Sequence, residues 1–184
     1  YLRSNNFEFS RDLAEWALSA GVRFVYASSA ATYGNQPGGD DRDPRAIEHL
    51  RPLNPYGESK QAMDLYAWRH GWLDSIVALK YFNVFGPHEG HKGDMRSMVS
   101  KSFEQARDRG VLHLFKSYRP DYLDGEQKRD FLYVKDAVAM TLHLAATPSA
   151  RGIFNIGSGQ AHNWNELARA LFAALNLPPR IEYI

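Results

Sequence analysis

The chain predicts an α/β fold built on a mainly parallel sheet, and three observations predict it. Short apolar runs rich in aromatic and β-branched residues alternate with longer helical patterns along the 184 residues. Glycine or proline stands at several of the places where those helices should stop. The polar, chemically versatile residues collect where strands end, and in open parallel sheets that is the side where ligands bind.

The elements follow in order. Leu13, Trp16, Ala17 and Ala20 recur at helical spacing, with Gly21 in a helix-terminating place. Arg23 to Ser28 (RFVYAS) reads as a buried strand. Residues 34 to 54 combine Gly34, Pro37, Gly38, Gly39, Pro44 and Pro52 with the charged run Asp40 to Asp43. A long loop, of the functional or flexible kind, is expected there. Pro55 suits the first turn, and Gly71 the end, of a helix over Pro55 to Arg69; Ser75 to Tyr81 is the next strand. A polar, glycine-rich loop over Asn83 to Asp94 precedes a helix from about Met95 to Arg109, stopped by Gly110. Leu112 to Phe115 is a strand, Lys116 to Lys128 a polar loop and Asp130 to Tyr133 a short extended piece. Val134 to Ala146 is a helix closed by Pro148, and Gly152 to Ile156 is another strand. Asn163 and Glu166 form a capping box ahead of the apolar stripe Trp164, Leu167, Ala168, Leu171, Phe172 and Leu175.

Bulk properties narrow the function classes. With 44% hydrophobic residues the chain fits one globular domain large enough for a real core. A formal net charge of +1 gives no electrostatic footprint for nucleic acid or an anionic membrane. No apolar run approaches the ~20 residues that span a bilayer. Without cysteine there are no disulfides and no thiolate chemistry, and an ordinary cytoplasmic enzyme is compatible. The chain opens at Tyr1 without a signal-peptide pattern and closes on the strand-like Ile181 to Ile184, so a piece of a longer protein is expected.

Tyr56 and Lys60 carry the first chemical signal. A spacing of i, i+4 puts phenol and ammonium on one helix face. A fixed cation favours the phenolate, which makes a group that ordinarily titrates near ~10 usable as an acid or base. Ser28 and Ser29 end the preceding strand, and a serine hydroxyl there can hold an oxyanion or a substrate hydroxyl. A lone Tyr-x-x-x-Lys is more often an ordinary surface helix. Here two strand ends, at Ser29 and Asn83, flank that helix and point to one sheet edge.

Asn83 to Gly93 (NVFGPHEGHKG) is the densest polar stretch. His88, Glu89 and His91 invite a metal reading, but HEGH lacks the i, i+4 histidines of HExxH and lies on a loop, so no metal site is expected. Lys92 reads either as a solvated lysine or as a base at a cleft mouth. Arg129 reads either as a phosphate grip or as a surface ion-pair partner of Asp130. Gly157-Ser158-Gly159 lacks the third glycine of a dinucleotide loop and reads as a strand-to-helix turn.

YASSAATYG, NPYGESK, YFNVFGPHEGHKG and KRDFLYV together resemble the extended short-chain dehydrogenase/reductase superfamily of nucleotide-sugar enzymes. Within it they are similar to the ADP-glycero-manno-heptose 6-epimerase family. HEGHKG is the most specific motif, because the superfamily's 4-epimerases and dehydratases differ after their NVYGP-type segment. The resemblance runs from Asn5 to Ile184. It implies an α/β, Rossmann-type doubly wound parallel sheet, partial in this chain, with a smaller C-terminal substrate domain. Residues 1–82 would be the C-terminal part of the NADP-binding domain. Residues 83–184 would be substrate-domain segments with Rossmann elements returning at about 130–157.

The resemblance also assigns roles. It implies Tyr56 and Lys92 as the two acid/base groups, Ser29 as the residue orienting the sugar oxygen, and Lys60 as the holder of the nicotinamide ribose. Asn5, Tyr56, Lys60, Val84 and Lys92 would lie along NADP, with NAD as the alternative. Ser29, Asn83, Phe115, Lys116, Ser117, Tyr118 and Arg129 would contact ADP-heptose or a related nucleotide sugar. A cytoplasmic homo-oligomer in lipopolysaccharide precursor synthesis is implied, as is oxidation at C6 followed by re-reduction of the other face. Two proton-transfer groups suit such an inversion, since the proton must be handled from two directions. Phe85 stands where the family commonly has Tyr, Asp94 follows HKG where a small hydroxyl residue is common, and the loop at 116–128 is long. A UDP-sugar 4-epimerase, a nucleotide-sugar dehydratase and a non-catalytic nucleotide-sugar binding module are the competing readings. The lysine of HKG argues against the first two. The retained Ser29, Tyr56, Lys60 and Lys92 argue against the third.

Overall fold

Val25–Ser29 (β1), Val77–Tyr81 (β2) and Gly152–Ile156 (β6) are five-residue runs that pair in parallel in the order β1-β2-β6. Val25 pairs with Val77 and Ser29 with Tyr81; Val77 pairs in turn with Gly152. The structure, a computed structural model, describes residues 1–36 and 43–184. Pro37 to Arg42, part of the long loop expected over 34 to 54, lie outside the described residues.

The chain divides into two compact units, residues 1–82 with 137–156, and residues 83–136 with 157–184. In the first unit, the helices α1 (Phe9–Ser19) and α2 (Pro55–Arg69) pack with the sheet around Ala14, Tyr26, Ile47, Met63, Ala67, Ile76, Ala78 and Ile153. Asn54 caps α2 by accepting from Gly57 N at 2.8 Å, and Pro55 supplies its fixed φ in the first turn. α1 differs from the sequence expectation. Ala14 and Ala17 are buried, while Leu13 and Trp16 are 41% and 60% exposed. Small alanines allow α1 to lie close to its neighbours, and the bulky residues of the expected face turn outward. α4 (Val134–Ala146) ends on a side-chain clamp: Arg23 Nη2 donates to the carbonyls of Leu144, Thr147 and Ala150, each at 2.8 Å. A guanidinium satisfies helix-terminal carbonyls and sits favourably at the negative end of the helix dipole.

In the second unit, β3 (Asn83–Phe85) pairs parallel with β5 (Lys128–Tyr133), which pairs antiparallel with β7 (Ala161–Asn163). β4 (Leu112–Leu114) pairs parallel with β8 (Ile181–Tyr183). Between them α3 (Met98–Arg109) and α5 (Trp164–Ala174) close a core of Ala106, Leu112, Leu114, Ala168 and Phe172. The capping box is present: Asn163 Oδ1 accepts from Glu166 N at 2.7 Å, and Glu166 Oε2 accepts from Asn163 N at 3.1 Å. α3 starts at Met98 rather than near Met95, because Ser97 is the cap and Gly93, at φ +53°, breaks the helical path before it.

Candidate active site

β1 delivers Ser29 to its C-terminal end, where the chain turns at once into the short 3₁₀ segment Ala30–Tyr33. Ser29 Oγ accepts from Ala31 N at 3.1 Å, and this cap fixes the hydroxyl oxygen while its own proton meets no acceptor among the described residues. α2 brings its first turn against that segment. A Cβ on Gly57 would stand 2.8 Å from Ala31 O and 2.9 Å from Pro52 Cβ, so only glycine permits the approach. Tyr56, the residue before it, is 42% exposed.

Lys60 lies one turn along the same face. Its Nζ donates to Ala27 O at 2.9 Å and sits 5.9 Å from the Tyr56 ring centroid. Burial pushes the Lys60 ammonium below the ordinary lysine range, and the charge of Asp64 opposes that shift. Ser59 Oγ donates to Tyr56 O at 2.7 Å and accepts from Asn6 Nδ2 at 3.0 Å, tying the N-terminal segment to the helix. Asn5 itself is exposed beside it. Within the first unit, then, Ser29, Tyr56 and Lys60 come from one strand end and the helix packed against it.

In the second unit Asn83 and Val84 open β3, with Asn83 exposed. A cavity of about 100 Å³ lies against Asn83, Val84, Met98, Phe131 and Trp164. The loop after β3 is held by Glu89, which is 7% exposed. Its Oε1 accepts from Ser97 Oγ at 2.7 Å and Gly86 N at 3.2 Å, and its Oε2 from Ser97 N at 2.7 Å. Lys92 Nζ is 3.6 Å from the same Oε2, and the lysine side chain is 46% exposed. Burial works to raise the Glu89 carboxyl, but the Ser97 and Gly86 donors and the Lys92 charge together bring it below the ordinary glutamate value. Lys92 is thus an exposed ammonium on a loop whose shape is set by a buried carboxylate. His88 adopts φ +66° in this loop, an uncommon conformation for a residue with a Cβ.

The other expected contacts are also in the second unit. Phe115 and Tyr118 are 70% and 95% exposed. Lys116 N donates to Ile184 O at 3.0 Å, and Ser117 N to Asp124 Oδ1 at 2.6 Å, so the backbone here is fixed while the rings stand free. Asp130 does not pair with Arg129. It accepts from Ser158 N and Ser158 Oγ, both at 2.8 Å, and from Gly159 N at 2.9 Å, pinning the turn after β6. Arg129 donates only to Lys128 O among the described residues, at 2.7 Å, which leaves most of its fork for a ligand. The Gly157–Gly159 turn leads into β7, where the sequence suggested a helix.

Beneath Ser29 and Lys60 lies a set that sequence reasoning passed over. Asp64 and Lys80 are 0% and 2% exposed and meet at 2.6 Å. The available signal was spacing: Asp64 continues the Tyr56, Lys60 row by four residues, and Lys80 is a charge inside the apolar run SIVALKY.

A family model described as the NAD dependent epimerase/dehydratase family matches residues 1–157. The chain is 50% identical over 184 residues to the ADP-L-glycero-D-manno-heptose-6-epimerase of Nitratidesulfovibrio vulgaris, covering 100% of this chain and 57% of that one. The protein of the same name from Alkalilimnicola ehrlichii is 45% identical over 175 residues, covering 93% of this chain and 52% of its own. The crystal structure of Helicobacter pylori ADP-L-glycero-D-manno-heptose-6-epimerase superposes with a TM-score of 0.81 at 32% identity, covering 97% of this chain and 54% of that one. The chain therefore spans about half the length of the curated relatives it matches.

Proposed function

The chain belongs to the NAD dependent epimerase/dehydratase family, and from that premise we propose that the full-length protein inverts C6 of ADP-glycero-manno-heptose, with NADP as cofactor and NAD as the alternative. One observation supports this reading: the chain holds two separately anchored side chains with the chemistry to transfer a proton. Tyr56 stands on a helix locked against the Ser29 turn, and Lys92 on a loop locked by Glu89. An enzyme that oxidises a carbinol and returns hydride to its other face needs a proton acceptor and a proton donor on different sides.

The donor set fits a nicotinamide ribose. Lys60 Nζ gives one N–H to Ala27 O and keeps two for ribose hydroxyls. When bound, the nicotinamide supplies a hydride acceptor and donor. Ser29 orients the C6 oxygen through its uncommitted O–H. The Tyr56 oxygen takes the hydroxyl proton as the C6 hydrogen departs, giving a 6-keto sugar. Lys92 delivers a proton to the oxygen once the opposite face has been reduced, and the reverse reaction exchanges the two roles. Arg129 and the exposed Phe115–Tyr118 segment bind the nucleotide diphosphate and base, and Asn83 the sugar end. Asn5 and Val84 lie along the cofactor. This reading carries with it a cytoplasmic homo-oligomer in lipopolysaccharide precursor synthesis; among the described residues no helix is long and apolar enough to cross a membrane.

The test uses the full-length protein with each C6 epimer of ADP-heptose, and UDP-galactose in parallel. Tyr56→Phe and Lys92→Ala should each lower kcat by about 10²–10⁴-fold, and the double variant should be inactive. Full activity in the double variant refutes the two-base assignment. Turnover of UDP-galactose but not of ADP-heptose moves the protein to the 4-epimerases.

A further inference from the structure

Hydrophobic packing is non-directional, so an apolar face alone leaves a helix free to slide or roll by a fraction of an ångström. α2 buries polar side chains beside its apolar ones: Ser59, Gln61 and Asp64 are buried along with Gly57, Met63 and Ala67, and of the three Asp64 bonds to the sheet. Asp64 lies one turn beyond Lys60 and two beyond Tyr56 on one row of the helix. Its carboxylate collects three donors from two strands: Tyr26 OH at 2.7 Å on Oδ1, and Ser28 Oγ at 2.7 Å and Lys80 Nζ at 2.6 Å on Oδ2. Lys80 Nζ also donates to Thr32 Oγ1 at 2.6 Å, and Thr32 Oγ1 donates to Ser29 O at 2.8 Å. The Tyr33 ring covers the same ammonium, 5.2 Å from centroid to nitrogen.

We propose that the buried Asp64–Lys80 pair is a positioning device, which fixes the Tyr56–Lys60 helix against β1 and β2 and holds the Ser29 backbone through Thr32. The inference rests on the epimerase reading and deepens it. Its acceptors and donors are directional and charge-assisted, so they set the rotation and height of α2 in a way that Met63 and Ala67 do not. A buried ion pair is a poor source of stability, since a well-packed apolar pair of similar volume often serves equally well. Its presence directly under a reactive row is accounted for by geometry rather than by folding energy. Asp64 also faces Lys60 and supports its charge against burial.

The test is the double variant Asp64→Asn/Lys80→Met in the full-length protein, which removes both charges together and strands neither. The expected result is a melting temperature within a few degrees of the parent, unchanged KM for the nucleotide sugar, and kcat lowered on the order of tenfold to a hundredfold. Thr32→Val leaves the ion pair intact and cuts only its link to Ser29; it should lower kcat severalfold with the same pattern. Unchanged kcat in a folded double variant overturns the proposal. So does a double variant that fails to fold while Thr32→Val keeps full kcat, because the pair is then structural. A parent protein without ADP-heptose turnover refutes the functional reading instead, and that arm is read before any variant is made.

Discussion

Removing the Glu89 carboxylate should loosen the loop that carries Lys92. In Glu89→Ala the Ser97 N–H, the Ser97 hydroxyl and the Gly86 N–H lose their acceptor, and Lys92 loses its counter-charge. Hydrogen bonds to a charged group contribute roughly 1.5–3 kcal/mol each, and the loop's exposed outer side admits water that offsets part of the loss. A net destabilisation of about 2–4 kcal/mol follows. Urea unfolding of the full-length protein, followed by tryptophan fluorescence with Trp164 in the same unit, reads it. The pH dependence has a definite sign. The folded carboxyl titrates below the ordinary value, so its stabilisation is complete above about 4.3, the unperturbed glutamate pKa, and is lost as pH falls through the lower folded value. Parent and Glu89→Gln should therefore differ at pH 6 and converge as the pH falls below the folded value. A destabilisation below about 0.5 kcal/mol, or a gap that widens on acidification, would refute the anchoring role.

Two further perturbations probe the frame of the site. Gly57→Ala places a methyl against Ala31 O and Pro52 Cβ; it should cost about 1–3 kcal/mol by thermal unfolding and lower kcat by shifting Tyr56, and an unchanged kcat would show the close approach to be dispensable. Arg23→Ala uncaps the end of α4 and should cost about 1–2 kcal/mol in urea titration, with KM and kcat of the remaining folded protein unmoved; a loss of activity without a loss of stability would contradict a purely structural clamp.

Much of the fold was legible because local signals and tertiary structure agree. Pro55 at the first turn and Gly71 after the last gave the helix Pro55–Arg69 as observed, and Asn163 with Glu166 gave the start of α5. Where two local signals competed, the sequence misled. Met95 continues the apolar spacing of α3, but the Ser97 cap and the left-handed Gly93 decide its start. β7 was not readable, since three residues become a strand only because β5 offers an edge. Tyr56 and Lys60 stand out by their spacing and Lys92 by its HKG motif, whereas the buried Asp64 and Lys80 do not. Asp64 looks like any polar helix residue and Lys80 like a strand's charged flank until the fold brings them to 2.6 Å. Adjacency leaves an ion pair between Asp130 and Arg129 open as one of two readings, and the turn that Asp130 binds lies 28 residues away.

The sheet order β1-β2-β6 has a consequence for how this protein is made. β2 needs a partner on each side, yet Val77–Tyr81 leaves the ribosome long before Gly152–Ile156, with most of the second unit translated between them. Until then the apolar strand Val77-Ala78-Leu79 offers an open hydrogen-bonding edge, and such edges invite pairing with other chains. Sequence-distant pairings also close slowly. Neither unit can be cut out as a continuous cassette, and a chain arrested before Ile156 would present a sticky half-sheet, a natural client for chaperones.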